Sequence, residues 1–314
     1  MTQEASLREA YGKTLVELGK ANQDIVLLDA DLCQSTMTKY FAAEFPERFF
    51  DCGIAEQNMV CIAAGLAASG KIPFASTFAV FAPGRCFDQI RMSLAQSKLN
   101  VKLVSTHSGI TVGEDGTSHQ AIEDLSLIGS LPNFTIIVPA DAIETAQAIK
   151  AVASHQGPCY VRLCRPDLPL VYNDSYRFQI GKTITLRQGT DATIIAIGVM
   201  VAASLEAAEE LEKEGINCAV LNAATMKPID EQAIIKAATD TGAIVTAEEH
   251  LEYGGLGSIV ARVTARNQPV PMELVAIKDT FAMSGKPGEL LQRYGLTAKD
   301  ITQAVRKTMK RKQK

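Results

Sequence analysis

The sequence predicts an α/β protein built from two doubly wound domains, the first with a mainly parallel sheet. Short apolar runs that are typical of buried strands alternate with runs of helical period along most of the chain. Such alternation indicates a parallel sheet with helices on both faces. The stretch at 166–182 interrupts it, because it is rich in Pro, Asn and Asp and has no sustained period. We expect domains at 1–170 and 186–314, joined by a linker at 171–185, and 314 residues suffice for both.

Each strand is predicted from a short apolar run, and each helix from apolar residues spaced three and four apart. The strands of the first domain are expected at 25–28, 49–52, 73–77, 101–105, 135–138 and 159–163. Its helices are expected at 9–18, 57–68, 86–94 and 142–153. The smaller second domain repeats the pattern, with strands at 193–197, 218–222, 244–247 and 272–277. Its helices are expected at 201–214, 231–238, 256–265 and 297–310.

Composition and charge exclude several classes of protein. The formal net charge of −4 gives no general attraction for nucleic acid. We expect no membrane span and no secretory signal, because apolar stretches of the required length and a basic segment followed by an apolar one are absent. The seven cysteines include no C-x-x-C pair, so neither a zinc site nor a disulfide framework is indicated. The sequence therefore predicts a cytoplasmic protein.

The run at 49–70 holds a carboxylate where a core would not ordinarily place one. Strand-like residues turn at Gly53, and a helix of mostly small, apolar residues follows. Glu56 lies in the first turn of that helix, where the helix dipole favours an anion. A helix this apolar is expected to be buried on all sides, and a buried carboxylate needs a partner or a function. Glu56 is therefore the leading candidate for a functional acid.

Three motifs in order give the chain a resemblance to a known family. They are G-I-x-E-x-x-M from Gly53 to Met59, T-F-x-x-F from Thr77 to Phe81, and T-H-x5-G-E-D-G-x-x-H-Q from Thr106 to Gln120. Together they resemble the second half of a transketolase, an enzyme that depends on thiamine diphosphate. The resemblance implies a pyrimidine-binding domain followed by a transketolase C-terminal domain. It also implies transfer of a two-carbon ketol unit between sugar phosphates through a cofactor carbanion.

The resemblance implies a set of cofactor contacts. The family's acid hydrogen-bonds N1′ of the cofactor pyrimidine, and Glu56 matches it. Phe78 and Phe81 match the aromatic residues that line the pyrimidine pocket. Asp31 matches an aspartate near the thiazolium ring, and Ile54 belongs to the same motif as Glu56.

Substrate contacts are implied in the same way. His107 would bind the C1 hydroxyl of the donor sugar, Asp115 a hydroxyl beside the acceptor aldehyde, and His119 the sugar hydroxyls or phosphate. Histidine suits proton exchange with such groups because it titrates near neutrality. The positions that match the family's phosphate-binding residues are Arg8, Ser35 and Arg165. By contrast, Glu114 is interpreted as structural, and Arg85 and Arg91 as surface or ion-pair residues.

Two departures from the family pattern affect the expected pocket. Gly84 stands where a further aromatic residue often lies, which puts that wall in doubt. Ser108-Gly109-Ile110 replaces the usual Asp-Ser-Ile after the first histidine, a change that alters the surroundings of the donor or acceptor sugar.

The family's metal and diphosphate site is missing from the sequence. Gly-Asp-Gly, which marks that site in the first half of a transketolase, occurs nowhere in the 314 residues. The resemblance therefore implies the C-terminal subunit of a split enzyme, with no metal ligands of its own. An N-terminal subunit would hold Mg²⁺ and the diphosphate of thiamine diphosphate. We expect a heterotetramer of two subunits of each kind that is active only when assembled.

Two other classes stay open. One is a related thiamine-diphosphate enzyme, either of the deoxyxylulose-phosphate synthase type or the beta subunit of a 2-oxoacid dehydrogenase. Thr106-His107 and the G-E-D-G run at 113–116 favour transketolase instead. The other is a non-catalytic partner, which would have no need of the full set of site residues. The sugars are also open, because pentose phosphates are the default but an unusual sugar phosphate would use the same motifs.

Overall fold

The computed structural model describes residues 3–312 and has the predicted α/β architecture. Strands and helices alternate in both halves of the chain. The strands of the first half are β1 (Glu4–Ala5), β2 (Ile25–Asp29), β3 (Phe49–Asp51), β4 (Ile72–Phe78), β5 (Lys102–Thr106), β6 (Thr135–Ile137), β7 (Cys159–Arg162) and β8 (Leu168–Pro169). Its helices are α1 (Leu7–Ala21), α2 (Cys33–Thr36), α3 (Lys39–Glu44), α4 (Glu56–Ala68), α5 (Ala82–Gln89), α6 (Asp124–Gly129) and α7 (Ala142–Ser154).

The second half begins after a segment at 170–183 that contains no helix or strand. Its strands are β9 (Ile184–Arg187), β10 (Ala192–Ala196), β11 (Cys218–Asn222), β12 (Thr225–Lys227), β13 (Ile244–Leu251) and β14 (Met272–Ile277). Its helices are α8 (Met200–Glu212), α9 (Glu231–Thr241), α10 (Leu256–Asn267), α11 (Pro287–Arg293) and α12 (Ala298–Lys312). Among residues 3–312, no helix is both long and apolar enough to cross a bilayer.

The larger sheet has seven strands in the order β12-β6-β7-β5-β4-β2-β3. All neighbours pair in parallel except β12, which is antiparallel to β6. Helices α1, α3 and α7 pack on one face and α4, α5 and α6 on the other, so the strands are buried on both sides. This explains why apolar residues predominate in them, as in the IVLLD sequence of β2.

The smaller sheet has the order β14-β13-β10-β11-β9, with only β9 antiparallel. Helices α8 and α12 cover one face, and α9 and α10 cover the other. One apolar core continues between the halves, because Leu28 and Leu103 of the larger sheet belong to the same buried cluster as Leu221 of the smaller one. Strand β12 belongs to the second half of the chain but pairs with β6 of the larger sheet. The sequence pattern did not predict this connection.

Other differences from the predicted elements are local. The helix expected at 86–94 begins earlier and continues as a π-helical segment, Ile90–Gln96. Helices α2, α3, α6 and α11 are short, and runs of that length carry too little periodicity to be recognised. The expectation that the helix at 57–68 is buried on all sides is wrong for the single chain. Cys61, Gly65 and Ala68 are exposed on its outer face, and Ile62 is 37% exposed.

Candidate active site

The carboxyl ends of parallel strands gather the predicted site residues at one edge of the larger sheet. Strands β2, β3, β4, β5 and β7 all end at this edge. Doubly wound folds bind ligands in the crevice beyond it. The site residues at or just beyond these strand ends are, in strand order, Asp31, Glu56, Phe78, His107 and Arg165.

Glu56 is the first residue of α4 and is buried, with 4% of its surface exposed. Its two carboxylate oxygens accept hydrogen bonds from Arg85 Nη1 at 3.0 and 3.2 Å. The same guanidinium lies over the ring of Phe81, with Cζ 3.9 Å from the centroid. Arg85 is thus an ion-pair residue as expected, but its partner is the candidate catalytic acid. No local sequence pattern predicts this pairing.

Four rings form an aromatic cluster beside Glu56, made of Phe78, Phe81, His107 and His119. Phe78 stacks on His107 with centroids 3.8 Å apart and on Phe81 with centroids 5.8 Å apart. His119 meets the edge of Phe81 at 5.4 Å and that of Phe78 at 6.3 Å. The motifs that predicted these residues separately therefore converge on one pocket.

His107 is held in this cluster by its backbone and its neighbour. It adopts a φ of 58°, which a residue other than glycine rarely takes. Its Nδ1 lies 2.9 Å from Thr106 Oγ1. Burial, reinforced by the charges of Arg8 and Arg165, lowers the pKa of His107 to about 3. The expectation of a histidine that titrates near neutrality is therefore wrong for His107, which is a neutral hydrogen-bonding group.

Asp51 ties together the two loops that carry Asp31 and Ile54. Its Oδ1 accepts hydrogen bonds from the backbone N–H of Asp31 at 3.2 Å and of Gly53 at 2.9 Å. Asp31 itself is exposed and has a φ of 62°. Ile54, which directly precedes Ala55 and Glu56, is 76% exposed, more than any other large apolar residue of the described chain. Asp51 was not predicted as a site residue. Its position as an acid at the end of a strand is the sequence signal that could have identified it.

Asp29 holds the segment that contains the short helix α2, on which Ser35 lies. Its buried carboxylate accepts hydrogen bonds from the Leu32 N–H at 2.6 Å and from the hydroxyls of Thr36 and Thr38 at 2.8 Å each. Burial raises the pKa of Asp29 to about 6 despite these donors. The fold of this segment places Ser35 beside α1. The sequence alone does not predict this position.

The three predicted phosphate-binding residues belong to two groups. Arg8 Nη1 donates to the backbone oxygen of Ser35 at 2.9 Å, so these two residues lie together. Arg165 donates to the backbone oxygen of Val112 and lies 3.7 Å from Asp115 and 3.8 Å from Glu114. Burial lowers the pKa of Arg8, and the nearby charge of Arg165 contributes to that shift. The two guanidinium groups are thus within electrostatic reach of each other.

The wall at Gly84 is open. A Cβ added there would meet nothing within 4 Å, so the space that a larger residue would fill is unfilled by the described chain. Among residues 3–312, no group of three or more His, Cys, Asp or Glu side chains is arranged to hold a metal ion.

The residues present fit an aminopyrimidine. In this chain a planar cation, the Arg85 guanidinium, lies over the ring of Phe81 and donates through Nη1 to the buried Glu56 carboxylate. An aminopyrimidine ring needs the same two contacts, an aromatic face and a carboxylate partner.

Family models match both halves of the chain. The model of the transketolase pyrimidine-binding domain matches residues 3–171, and that of the transketolase C-terminal domain matches residues 181–301. The chain therefore belongs to the transketolase family, which is a family of transferases dependent on thiamine diphosphate. The matches confirm the predicted resemblance and the fold.

Relatives separate into two kinds by length. A putative transketolase C-terminal section from Methanocaldococcus jannaschii is 48% identical, over 97% of this chain and 96% of its own length. A 6-deoxy-6-sulfo-D-fructose transketolase subunit from Clostridium sp. (strain MSTE9) is 42% identical, over 98% and 95%. Human transketolase is 41% identical over 95% of this chain, which corresponds to only 48% of the human protein.

A solved structure agrees with the division into split and single-chain relatives. A split-gene transketolase, described as an inactive β4 tetramer, has a TM-score of 0.92 and is 52% identical, over 98% of this chain and 99% of that one. The chain thus spans nearly all of its split relatives and about half of a single-chain transketolase. This confirms the assignment to the C-terminal part of a two-chain enzyme.

The neutrality of His107 can be measured directly. We expect the imidazole of His107 to show no titration between pH 5 and 8 in NMR spectra of the folded chain, because its pKa is about 3. The variant His107→Gln assigns the signal among the four histidines. A titration midpoint near 6.5 would contradict the interpretation.

The lowered pKa of His107 also makes the stability of the folded chain depend on pH. At a pH below about 6.5 the unfolded chain binds a proton on His107 that the folded chain does not, so stability falls as the pH falls from 6.5 towards 3. Urea unfolding between pH 6.5 and 5 should show a smaller loss of stability in His107→Gln than in the wild type.

Proposed function

We propose that this chain forms the pyrimidine- and sugar-binding side of a two-chain transketolase, which transfers a two-carbon ketol unit between sugar phosphates. The observation that carries the proposal is the buried Glu56 carboxylate at the start of α4, beside the aromatic cluster. Thiamine diphosphate, when bound, supplies the nucleophilic carbon that carries the two-carbon unit. The residues of this chain bind and orient the reactants and hold a proton.

In this proposal Glu56 holds a proton in a hydrogen bond to N1′ of the pyrimidine ring. Its burial keeps water from competing for that bond. Phe78 and Phe81 form the apolar wall against the ring, and Arg85 leaves Phe81 when the ring binds. Asp31 and Ile54 lie on the flanking loops joined through Asp51 and contact the rest of the cofactor.

His107, Asp115 and His119 act on the sugar. His107 is neutral, so it can donate one hydrogen bond and accept another, as contact with the C1 hydroxyl of the donor requires. Asp115 is half exposed and accepts from a hydroxyl beside the acceptor aldehyde. His119 lies at the edge of the aromatic cluster, where it can contact sugar hydroxyls and assist proton transfer.

Arg8, Ser35 and Arg165 bind the anionic end of the sugar. Two guanidinium groups within electrostatic reach of each other make an anion site, because each is stabilised when a phosphate lies between them. Such a site accepts any tetrahedral oxyanion. A sulfonated sugar is therefore a second candidate substrate, favoured by the 42% identity to a 6-deoxy-6-sulfo-D-fructose transketolase subunit.

The partner is an N-terminal subunit that holds Mg²⁺ and the diphosphate. The outer face of α4 is exposed and apolar, as are Ile54 and Met92. Such a face is suited to a protein interface, and Gly65 allows close approach of a second backbone. We infer a heterotetramer with the cofactor between unlike chains. The seven free thiols favour a reducing compartment such as the cytoplasm.

Glu56→Gln should abolish most turnover, because an amide cannot hold the exchangeable proton at N1′. A loss on the order of 10² to 10⁴ is typical of general acid–base groups. Hydrogen–deuterium exchange at C2 of the cofactor, measured in the assembled enzyme, isolates this step. Glu231→Gln, at the same position of α9, is the matched control. An unchanged exchange rate in Glu56→Gln would remove Glu56 from the mechanism.

Asp115→Ala should lower kcat/KM by about 10- to 100-fold for substrates that bear the matching hydroxyl, because a hydrogen bond to a charged group is worth about 1.5–3 kcal/mol. Glycolaldehyde-like acceptors should lose less. Glu114→Ala is the control, since Glu114 is adjacent and equally close to Arg165. Equal losses with hydroxylated and unhydroxylated acceptors would count against the role of Asp115.

The chain alone, supplied with thiamine diphosphate, Mg²⁺ and sugar phosphates, should be inactive and should gain activity on mixing with a subunit that carries Gly-Asp-Gly. The physical reason is that residues 3–312 form a pyrimidine pocket but no metal-binding cluster, and the sequence lacks the Gly-Asp-Gly motif that would hold the diphosphate and its metal. Calorimetry of cofactor binding and a coupled assay, each with and without the second subunit, test this. Tight cofactor binding and full turnover by the isolated chain would overturn the two-chain proposal.

A further inference from the structure

We propose that Glu249, a residue of the second domain, is a positioning residue for the loop at 107–120. This loop carries His107, Asp115 and His119, so the consequence for catalysis depends on the proposed function. The contact between Glu249 and the loop does not depend on the proposed function. The smaller domain thereby takes part in sugar recognition without touching the sugar.

Glu249 reaches the loop midway between His107 and Asp115. Its Oε1 accepts a hydrogen bond of 2.6 Å from the backbone N–H of Thr111. Thr111 lies four residues after His107 and four before Asp115. Fixing the backbone at this position therefore limits the motion of both groups.

Gly109 extends the same contact. It adopts a φ of +73°, and a Cβ at this position would overlap the Glu249 carboxyl group. The carboxyl group thus packs directly against the backbone that follows His107. The Ser108-Gly109 sequence, which departs from the family pattern, is what permits this approach.

The carboxyl group of Glu249 is poorly explained by stability alone. It is buried, and its Oε2 meets no hydrogen-bond donor among residues 3–312. Arg162 donates to the backbone oxygen of Glu249, at 3.1 Å. Burial raises the pKa of Glu249 to about 7, so the group is costly to ionise where it lies. Burying an apolar residue at position 249 would cost less free energy, unless the Thr111 N–H needs the carboxyl group as its hydrogen-bond acceptor.

The far end of the loop has other attachments to the second half of the chain. Thr117 Oγ1 donates to the Ala282 oxygen at 2.7 Å, and Gln120 Nε2 donates to the Met283 oxygen at 3.1 Å. Near the start of the loop, Ser108 and Gly109 donate backbone hydrogen bonds to Leu163 and Ala121 within the first domain. In the segment between, Arg165 donates to the backbone oxygen of Val112, and Glu249 accepts the hydrogen bond from the neighbouring Thr111 N–H.

Glu248 offers a matched control. It precedes Glu249 on β13, is equally buried, and accepts two backbone hydrogen bonds, from Leu256 at 2.7 Å and from Gly257 at 2.8 Å. Successive strand residues point to opposite faces, so its carboxylate caps α10 and lies away from the loop. Loss of Glu248 should affect stability and leave the loop unchanged.

The first experiment measures amide hydrogen exchange in the full chain without cofactor. In the wild type, the Thr111 amide should exchange at least about 100-fold more slowly than the exposed amides of Thr117 and Ser118. Glu249→Met, which keeps the volume but removes the acceptor, should speed exchange at Thr111 by about 10-fold or more. Glu249→Gln, which keeps an acceptor oxygen, should restore protection, and Glu248→Met should not change it.

The second experiment measures kinetics in the assembled enzyme. Glu249→Met should raise the KM for the sugar substrate by about 10-fold with kcat within about 3-fold, because the loop must be ordered when sugar binds. Glu249→Gln should stay within about 3-fold of the wild type in both constants. Glu248→Met should lower the urea midpoint without raising KM.

The outcomes separate this inference from the proposed function. Rapid exchange at Thr111 in the wild type would overturn the contact even if no variant folds. Equal rises in KM for the Glu248 and Glu249 variants would overturn the positioning role. Slow exchange at Thr111 together with an assembled enzyme that has no transketolase activity would instead contradict the proposed function and leave the contact in place.

Discussion

The attachment of the 107–120 loop to both domains depends on one buried guanidinium, that of Arg162. Its Nε donates to Asp124 Oδ2 at 2.8 Å, and its Nη2 donates to the backbone oxygens of Ala121 and Glu249 at 3.0 and 3.1 Å. Tyr160 donates to the same oxygen of Asp124 at 2.7 Å. One side chain thus joins β7, the end of the 107–120 loop, α6 and β13. Removing one partner of such a buried pair typically costs about 3–5 kcal/mol, so loss of Arg162 or Asp124 should strongly destabilise this junction.

Much of the fold and the pocket was predictable because the relevant signals are local. Parallel strands that are buried on both faces are rich in apolar residues on both sides, which makes β2 recognisable as the run at 25–28 and β7 as the run at 159–161. The acid at the start of α4 and the ring pair of Phe78 and Phe81 are likewise local features. Topology then brings them together, since parallel strands present their carboxyl ends at a single edge of the sheet.

The rest was not predictable because it depends on pairs distant in sequence. Arg85 meets Glu56 across 29 residues, and Glu249 meets Thr111 across 138. Nothing in the local sequence of either residue distinguishes it from a surface or structural charge. The neutrality of His107 is a similar case, because a Gly-rich loop suggests an exposed histidine whereas packing against Phe78 buries it. Burial of a loop residue is set by its tertiary neighbours.

The two sides of the pocket differ in rigidity, and the difference follows from the contacts each side makes. On the sugar side, the loop is attached to both domains before any ligand arrives, so its polar groups need little reorganisation on binding. On the cofactor side, the outer face of α4 is open, yet Glu56 is already shielded by Arg85 and the aromatic cluster. A protein that covers the outer face of α4 therefore does not have to remove water from the Glu56 carboxylate. In the proposed two-chain enzyme, assembly and the burial of Glu56 are therefore separate steps, and displacement of Arg85 by the cofactor is the step that links them.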